Sequence, residues 1–183
     1  MSKEADIVIG AGDYGSLRRD ILKTVNWLSF IDKPTVLVPG NAESYDELKE
    51  ACTGWPNASV LHGTGIKLKG ISFFGIGGGI PVTPFGSWSY DFTEEQAEDL
   101  LKDCPENAVM VSHSPPRGIL DLSSRGQHLG SETVRKVILE KFPKLVVCGH
   151  IHESGGKMEK LGETVIVNAG PHGLYFDFLV TTI

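Results

Sequence analysis

The sequence predicts an α/β fold built on a largely parallel sheet, and three features carry that expectation. Short apolar runs alternate with stretches of helical periodicity along the chain. Potential metal ligands stand just after four of those runs, where the carboxyl ends of parallel strands place functional groups. No repeat, low-complexity tract or long linker divides the 183 residues, so one domain over residues 1–183 is expected.

Residues 6–10 (DIVIG) read as a strand, after which Ser16 caps a helix whose apolar face is Leu17, Ile21, Val25 and Leu28. Residues 35–38 form the next strand, ended by Pro39-Gly40. Ser44 and Glu47 have the spacing of a capping box for a short helix carrying Leu48 and Ala51. Residues 60–61, 66–68 and 71–74 are apolar and separated by glycine-rich turns, as in a hairpin or meander. A loop rich in glycine, proline and aromatics covers residues 77–91, and a loop of that length inside a domain is often functional. Thr93 with Gln96 opens another helix, residues 108–112 read as a strand, and a second long loop covers 113–130. From Ser131 a helix carries Val134, Val137, Ile138 and Phe142 on one face. A buried strand at 145–148 follows, and the end is β-rich at 163–167 and 174–180.

Composition narrows the function. Hydrophobic residues make up 40% and charged residues 22%, an ordinary globular balance. No apolar run approaches the roughly 20 residues that span a bilayer, and residues 1–5 carry no signal-peptide core, so a cytoplasmic location is expected. The three cysteines are scattered and odd in number, which argues against a disulfide framework and against a thiolate zinc site. Lys and Arg number 17 against 23 Asp and Glu, a net charge of −6 with no basic run. That balance argues against nucleic-acid binding, which depends on neutralising phosphates. An anionic substrate would need a local source of positive charge, and a bound metal supplies one.

The candidate ligands are Asp13 after DIVIGAG, Asn41 after TVLVPG, His113 after AVMVS and His150 after KLVVCG, with His152 two residues on. A carboxylate, a carboxamide and imidazoles are hard or borderline ligands that suit Mn, Fe or Zn. Asp13 and Asn41 also sit beside glycines, where such residues serve as turn formers. Two histidines directly after a buried strand are harder to explain as loop residues.

Taken in order, Gly12-Asp13, GNAE at 40–43, SHSPP at 112–116, GHIH at 149–152 and NAGP at 168–171 resemble the later sequence blocks of the calcineurin-like metallophosphoesterases. The resemblance implies a double β-sheet sandwich flanked by helices, with a two-metal centre that hydrolyses phosphate esters, mono- or diesters. It assigns Asp13 to both metals, and Asn41, His113 and His150 to one of them. His152 falls to the other. A divalent cation at such a centre lowers the pKa of water and offsets phosphoryl charge. Arg117 and His128, in the second long loop, are candidate substrate contacts, with Phe85, Trp88 and Tyr90 of the first loop as further candidates. His62 and His172 are read as surface or structural residues.

Two departures from the family pattern shape the expectations. The family's first block, D-x-H at the end of an upstream βα unit, has no counterpart among residues 1–5. The fold is therefore expected to be missing its first βα unit, with one metal bound tightly, a second weakly, and weak activity. An uncovered sheet edge around residues 6–10 is expected to draw the chain into a homodimer. Ala42 stands where many members have a histidine that assists the leaving group, which leaves that role vacant unless His128 or another histidine takes it. A catalytically impaired, metal-binding scaffold of the same fold is the alternative. A remoter one is dinucleotide binding through Gly10, Gly12 and Gly15, which match G-x-G-x-x-G.

Overall fold

The computed structural model describes residues 4–178 and divides them into two β-sheets with helices outside both. The first sheet is parallel throughout, in the order β1 (Val8–Gly10), β2 (Thr35–Leu37), β3 (Ala58–Val60). The second has six strands, β4 (Thr64–Leu68), β5 (Ile71–Ile76), β6 (Val109–Ser112), β7 (Leu145–Cys148), β9 (Thr164–Asn168) and β8 (Met158–Leu161), in that spatial order. Its four inner strands run parallel, and β4 and β8 pair antiparallel at its edges.

The apolar pattern explains the layering. Val36, Val38 and Leu61 of the first sheet face Phe73, Val109, Val111, Leu145, Val147 and Val167 of the second, forming the inter-sheet core. The opposite face of the second sheet carries Phe74, Ile76, Met110, Val146 and Ile166. It is covered by α3 (Glu94–Leu101) and α4 (Glu132–Lys141) through Ala97, Leu101, Val134, Val137 and Ile138. Leu37 looks out from the first sheet onto α1 (Ile21–Leu28) and α2 (Tyr45–Ala51), meeting Ile21, Val25 and Leu48. Strands buried on both faces read as unbroken apolar runs, as β6 and β7 do. The arrangement is a double sandwich of helix, sheet, sheet and helix.

Both capping boxes form as the sequence predicts, Ser44 with Glu47 and Thr93 with Gln96, and Ser131 caps α4. Four local expectations need correction. Ser16 does not cap α1; it pairs with Arg19 in a tight turn, and the helix starts only at Ile21. Leu17, Arg18 and Asp20 have φ of 49°, 64° and 63°, which a right-handed helix cannot accommodate, and Leu17 is exposed. The cause is long-range, because Gly15 and Arg18 donate their backbone N–H groups to Glu43 and Ala42 instead. The first run of the expected meander, at 60–61, belongs instead to the strand Ala58–Val60 and its end, which pairs with β2 in the other sheet, while β4 and β5 form the expected hairpin through Lys69-Gly70. Phe142 is the left-handed C-cap residue of α4 and lies exposed rather than on its buried face. The terminal strand expected at 174–180 is not seen over 174–178, and its last two residues lie outside the described residues. One strand is additional: β8, mostly exposed, turns through Gly162-Glu163 into β9.

Candidate metal centre

Asp13, Asn41, His113 and His150 occupy the loops that leave the carboxyl ends of β1, β2, β6 and β7. Two of those strands belong to each sheet, so the side chains meet where the ends of both sheets come together. The double sandwich that the resemblance implies is present, and the four side chains are shared between the ends of its two sheets.

His113 is buried, and its Nδ1 donates to the carbonyl of Ala11 at 2.6 Å. A carbonyl only accepts, so the proton sits on Nδ1 and Nε2 turns a bare lone pair into the site. That Nε2 lies 3.2 Å from Asn41 Oδ1 and 3.5 Å from Asp13 Oδ1. His150 Nδ1 lies 3.1 Å from Asn41 Oδ1 and 3.2 Å from His113 Nε2. The ligand atoms of Asp13, His113 and His150 all fall within 4.8 Å of one another. Burial is what chiefly pushes the His150 pKa down to about 4, so its ring is neutral near pH 7. Lone pairs of a carboxylate, an amide oxygen and two imidazoles thus converge, with at most the His150 Nδ1 proton between them. A divalent cation fits that donor set and relieves the repulsion among its lone pairs.

The loops are held in this arrangement from behind. Fully buried Glu43 accepts the backbone N–H groups of Asp13 (2.9 Å) and Gly40 (2.6 Å) on Oε1, and that of Gly15 (2.9 Å) on Oε2. Burial raises its pKa, although the N–H groups of Gly40 and Gly15 pull the other way. Asp13 sits at φ 61°, a strained left-handed conformation, and its Oδ1 accepts from Ala42 N at 3.1 Å. His150 has the same φ of 61°, and Asn168 fixes its turn by donating to the carbonyls of Gly149 and Ile151. Asn41 Nδ2 donates to Ser89 Oγ at 2.9 Å, and Ser89 in turn donates to Asp91 at 2.7 Å. Sequence reasoning gives Glu43, Ser89, Asp91 and Asn168 no role. Glu43 and Asn168 lie inside the quoted GNAE and NAGP blocks, whereas Ser89 and Asp91 leave no signal beyond their place in a long loop.

The remaining candidates lie elsewhere. His152 starts a single 3₁₀ turn, is exposed, and falls outside the group formed by Asp13, His113 and His150. Arg117 is exposed, with its backbone tied to Ser131 and Arg135. His128, half exposed, donates from Nδ1 to buried Asp121 at 2.6 Å. Phe85 and Trp88 stack on each other, and Tyr90 packs with His62 and Phe92. His62 is structural, as expected: its Nδ1 accepts from Gly77 N, and burial lowers its pKa to about 4.

The dinucleotide alternative fails on geometry. Such a fingerprint opens directly into a helix whose N-terminus faces pyrophosphate, but five residues separate Gly15 from α1. Gly12 answers a different need: at φ 99°, a Cβ there would come within 2.5 Å of Gly40 Cα and His113 Nδ1. Only glycine lets the first and second loops close over His113.

Comparison with known proteins places the chain among relatives. The chain is 28% identical over 135 residues to human metallophosphoesterase domain-containing protein 1, an alignment covering 69% of this chain and 38% of that one. The mouse protein of the same name matches equally. The chain therefore spans well under half the length of these relatives. Among solved structures, TT1561 of Thermus thermophilus superposes with a TM-score of 0.72 at 24% identity, covering 92% of this chain and 78% of its own, a likeness of fold. No helix among the described residues is long and apolar enough to cross a membrane. A family model described as metallophosphoesterase, calcineurin superfamily, matches residues 18–180, and the chain belongs to that superfamily.

Proposed function

We propose that Asp13, Asn41, His113 and His150 hold one divalent cation, Mn, Fe or Zn, and that the chain hydrolyses small phosphate mono- or diesters there. One observation carries this reading: ligand atoms of Asp13, Asn41, His113 and His150 converge, and groups on the far side set the orientations of His113 and Asn41. A cation held there lowers the pKa of water and offsets phosphoryl charge. Asp13, shared, and His152 are the residues of this chain proposed for a second, weaker metal position. Arg117 and His128 are the proposed substrate contacts.

The test is turnover of bis-p-nitrophenyl phosphate and p-nitrophenyl phosphate by Mn-loaded protein, with and without a chelator. Hydrolysis that the chelator abolishes and that His150→Ala loses supports the reading; hydrolysis indifferent to both sinks it. The position of His152 favours a second reading, a metal-binding scaffold with little activity. Metal uptake without turnover of either ester would select it.

We also propose a homodimer. Among the described residues β1 is paired on one side only. Beside it lies a cavity of about 1080 Å³ lined by apolar residues including Ile7, Ile9, Phe73, Leu145 and Val167. An uncovered edge beside apolar surface invites a second chain. Light scattering that finds a monomer at tens of micromolar overturns the proposal.

A further inference from the structure

An asparagine amide can present either its oxygen or its NH2 group, and only the oxygen can bind a cation. Inside the site, the opposite orientation of Asn41 has local support. The bare Nε2 of His113 lies 3.2 Å away and would welcome an N–H donor. His150 Nδ1, 3.1 Å from the same amide, can meet either orientation according to its tautomer, so the site by itself does not select the oxygen.

The selecting group can be traced by following the protons. Asp91 Oδ2 accepts from Thr83 N at 2.9 Å and Thr83 Oγ1 at 2.6 Å. Its Oδ1 lies 2.7 Å from Ser89 Oγ, which also lies 3.1 Å from Thr83 Oγ1, whose own proton goes to Asp91 Oδ2. A carboxylate only accepts, so the single hydroxyl proton of Ser89 goes to Asp91. Ser89 Oγ then has lone pairs alone to offer Asn41, 2.9 Å away, and must receive the Asn41 NH2 group. With the NH2 group engaged there, Oδ1 faces His113 and His150.

We propose that Asp91 is a positioning residue: acting through Ser89, it sets the polarity of the Asn41 amide so that the oxygen faces the metal position. The proposal rests on the reading of this site as a metal centre. Groups behind a ligand commonly matter in this way, changing metal affinity about 10–100-fold when altered.

The relay has a direction, and that makes it testable. In Asp91→Asn, the Thr83 N–H still demands an oxygen, which turns the new NH2 group toward Ser89. Ser89 then accepts from residue 91, and its proton turns to the nearer of the two groups left to it, Asn41 at 2.9 Å rather than Thr83 Oγ1 at 3.1 Å, which reverses the amide and aims its NH2 group at the site. Ser89→Ala removes the relay without reversing it, and a bound cation can still draw in the oxygen.

The experiment is equilibrium Mn²⁺ titration of the metal-free proteins, with circular dichroism as a check on folding. Ser89→Ala should weaken Mn²⁺ binding about 3-fold, the worth of one hydrogen bond. Asp91→Asn should weaken it about 10–100-fold. The double variant should recover to the level of Ser89→Ala, because no serine remains to transmit the reversed polarity. A double variant as weak as Asp91→Asn assigns Asp91 a merely structural role and overturns the relay. If Asp91→Asn does not fold, an unchanged affinity in Ser89→Ala overturns it alone. A wild-type protein that takes up no Mn²⁺ overturns the metal centre, and the relay with it. Uptake that His150→Ala loses while Asp91→Asn keeps it overturns the relay and leaves the centre standing.

Discussion

His113 reaches from the second sheet to the first, donating its Nδ1 proton to the carbonyl of Ala11 at 2.6 Å. One side chain thus ties the two sheets together at the site and fixes which nitrogen it turns inward. The ring of His150 makes its contacts within the site instead, to Asn41 and His113.

The two histidines should therefore separate in mutagenesis. His113→Ala should cost the metal-free protein about 2–4 kcal/mol, from a lost buried bond and the cavity left behind. His150→Ala should leave metal-free stability within about 1 kcal/mol of wild type, because its site-facing lone pairs contribute little without a cation. Both should lose bound metal and phosphodiester hydrolysis together. Denaturant unfolding in chelator, beside metal analysis, checks this; equal stability losses would contradict it.

Glu43 predicts a second separation. Its carboxylate collects three backbone N–H groups from two different loops. Glu43→Ala leaves those donors buried and unpaired, at a cost of about 2–4 kcal/mol. Glu43→Gln keeps one accepting oxygen and should lose roughly half as much. Metal affinity should fall with stability in both variants, since Asp13 and Asn41 flank the loops that Glu43 joins. Unchanged unfolding in Glu43→Ala would remove it from the framework.

What the sequence could disclose depended on the range of the interaction. Asp13, Asn41, His113 and His150 were legible because each follows a strand by a few residues, a local relation that survives without coordinates. The capping boxes were legible for the same reason. The false helix start at Ser16 was not, because its correction comes from Glu43, 28 residues beyond Gly15. Ser89 acquires its role only by meeting Asn41, 48 residues away. β8 was missed because it is mostly exposed and carries no apolar alternation to betray it. The assignment of strands to two sheets was equally hidden: residues 58–60 read like the strands that follow them, and only their partner distinguishes them.

A pH prediction follows from His62, which lies among Tyr45, Tyr90 and Phe92 away from the candidate ligands. Burial lowers its pKa from 6.5 to about 4. The unfolded chain therefore binds the proton more readily than the folded one. Stability from the neutral ring is complete above pH 6.5 and is lost progressively as pH falls toward 4. His62→Gln preserves an acceptor for Gly77 N while removing the titration. Between pH 7 and 4, wild type should lose on the order of 2 kcal/mol more than His62→Gln. Acid effects at His150 occur in both proteins and cancel in the difference. Parallel curves of stability against pH would show that the folded environment of His62 does not disfavour its charge.

Metal stoichiometry is the prediction that reaches furthest into function. Asp13, Asn41, His113 and His150 present four donors to one position. For the proposed second position the described residues offer Asp13, already shared, and His152, which stands outside that group. Zinc-type catalytic sites generally supply three protein ligands and a water, so two ligands should hold a cation poorly. After dialysis the protein should retain about one metal ion per chain. The second position should fill only at high Mn²⁺ concentration, or when a phosphate group bridges it. Turnover should rise with that second, weak occupancy rather than with the first, since two cations share the phosphoryl charge better than one. His152→Ala should accordingly leave the tight ion in place and abolish the weak phase of the titration. Elemental analysis of dialysed protein, with turnover measured at each Mn²⁺ ratio, reads both quantities. Two tight ions per chain with brisk turnover would mean that further ligands complete the second position. Loss of the tight ion in His152→Ala would place that histidine in the first position instead.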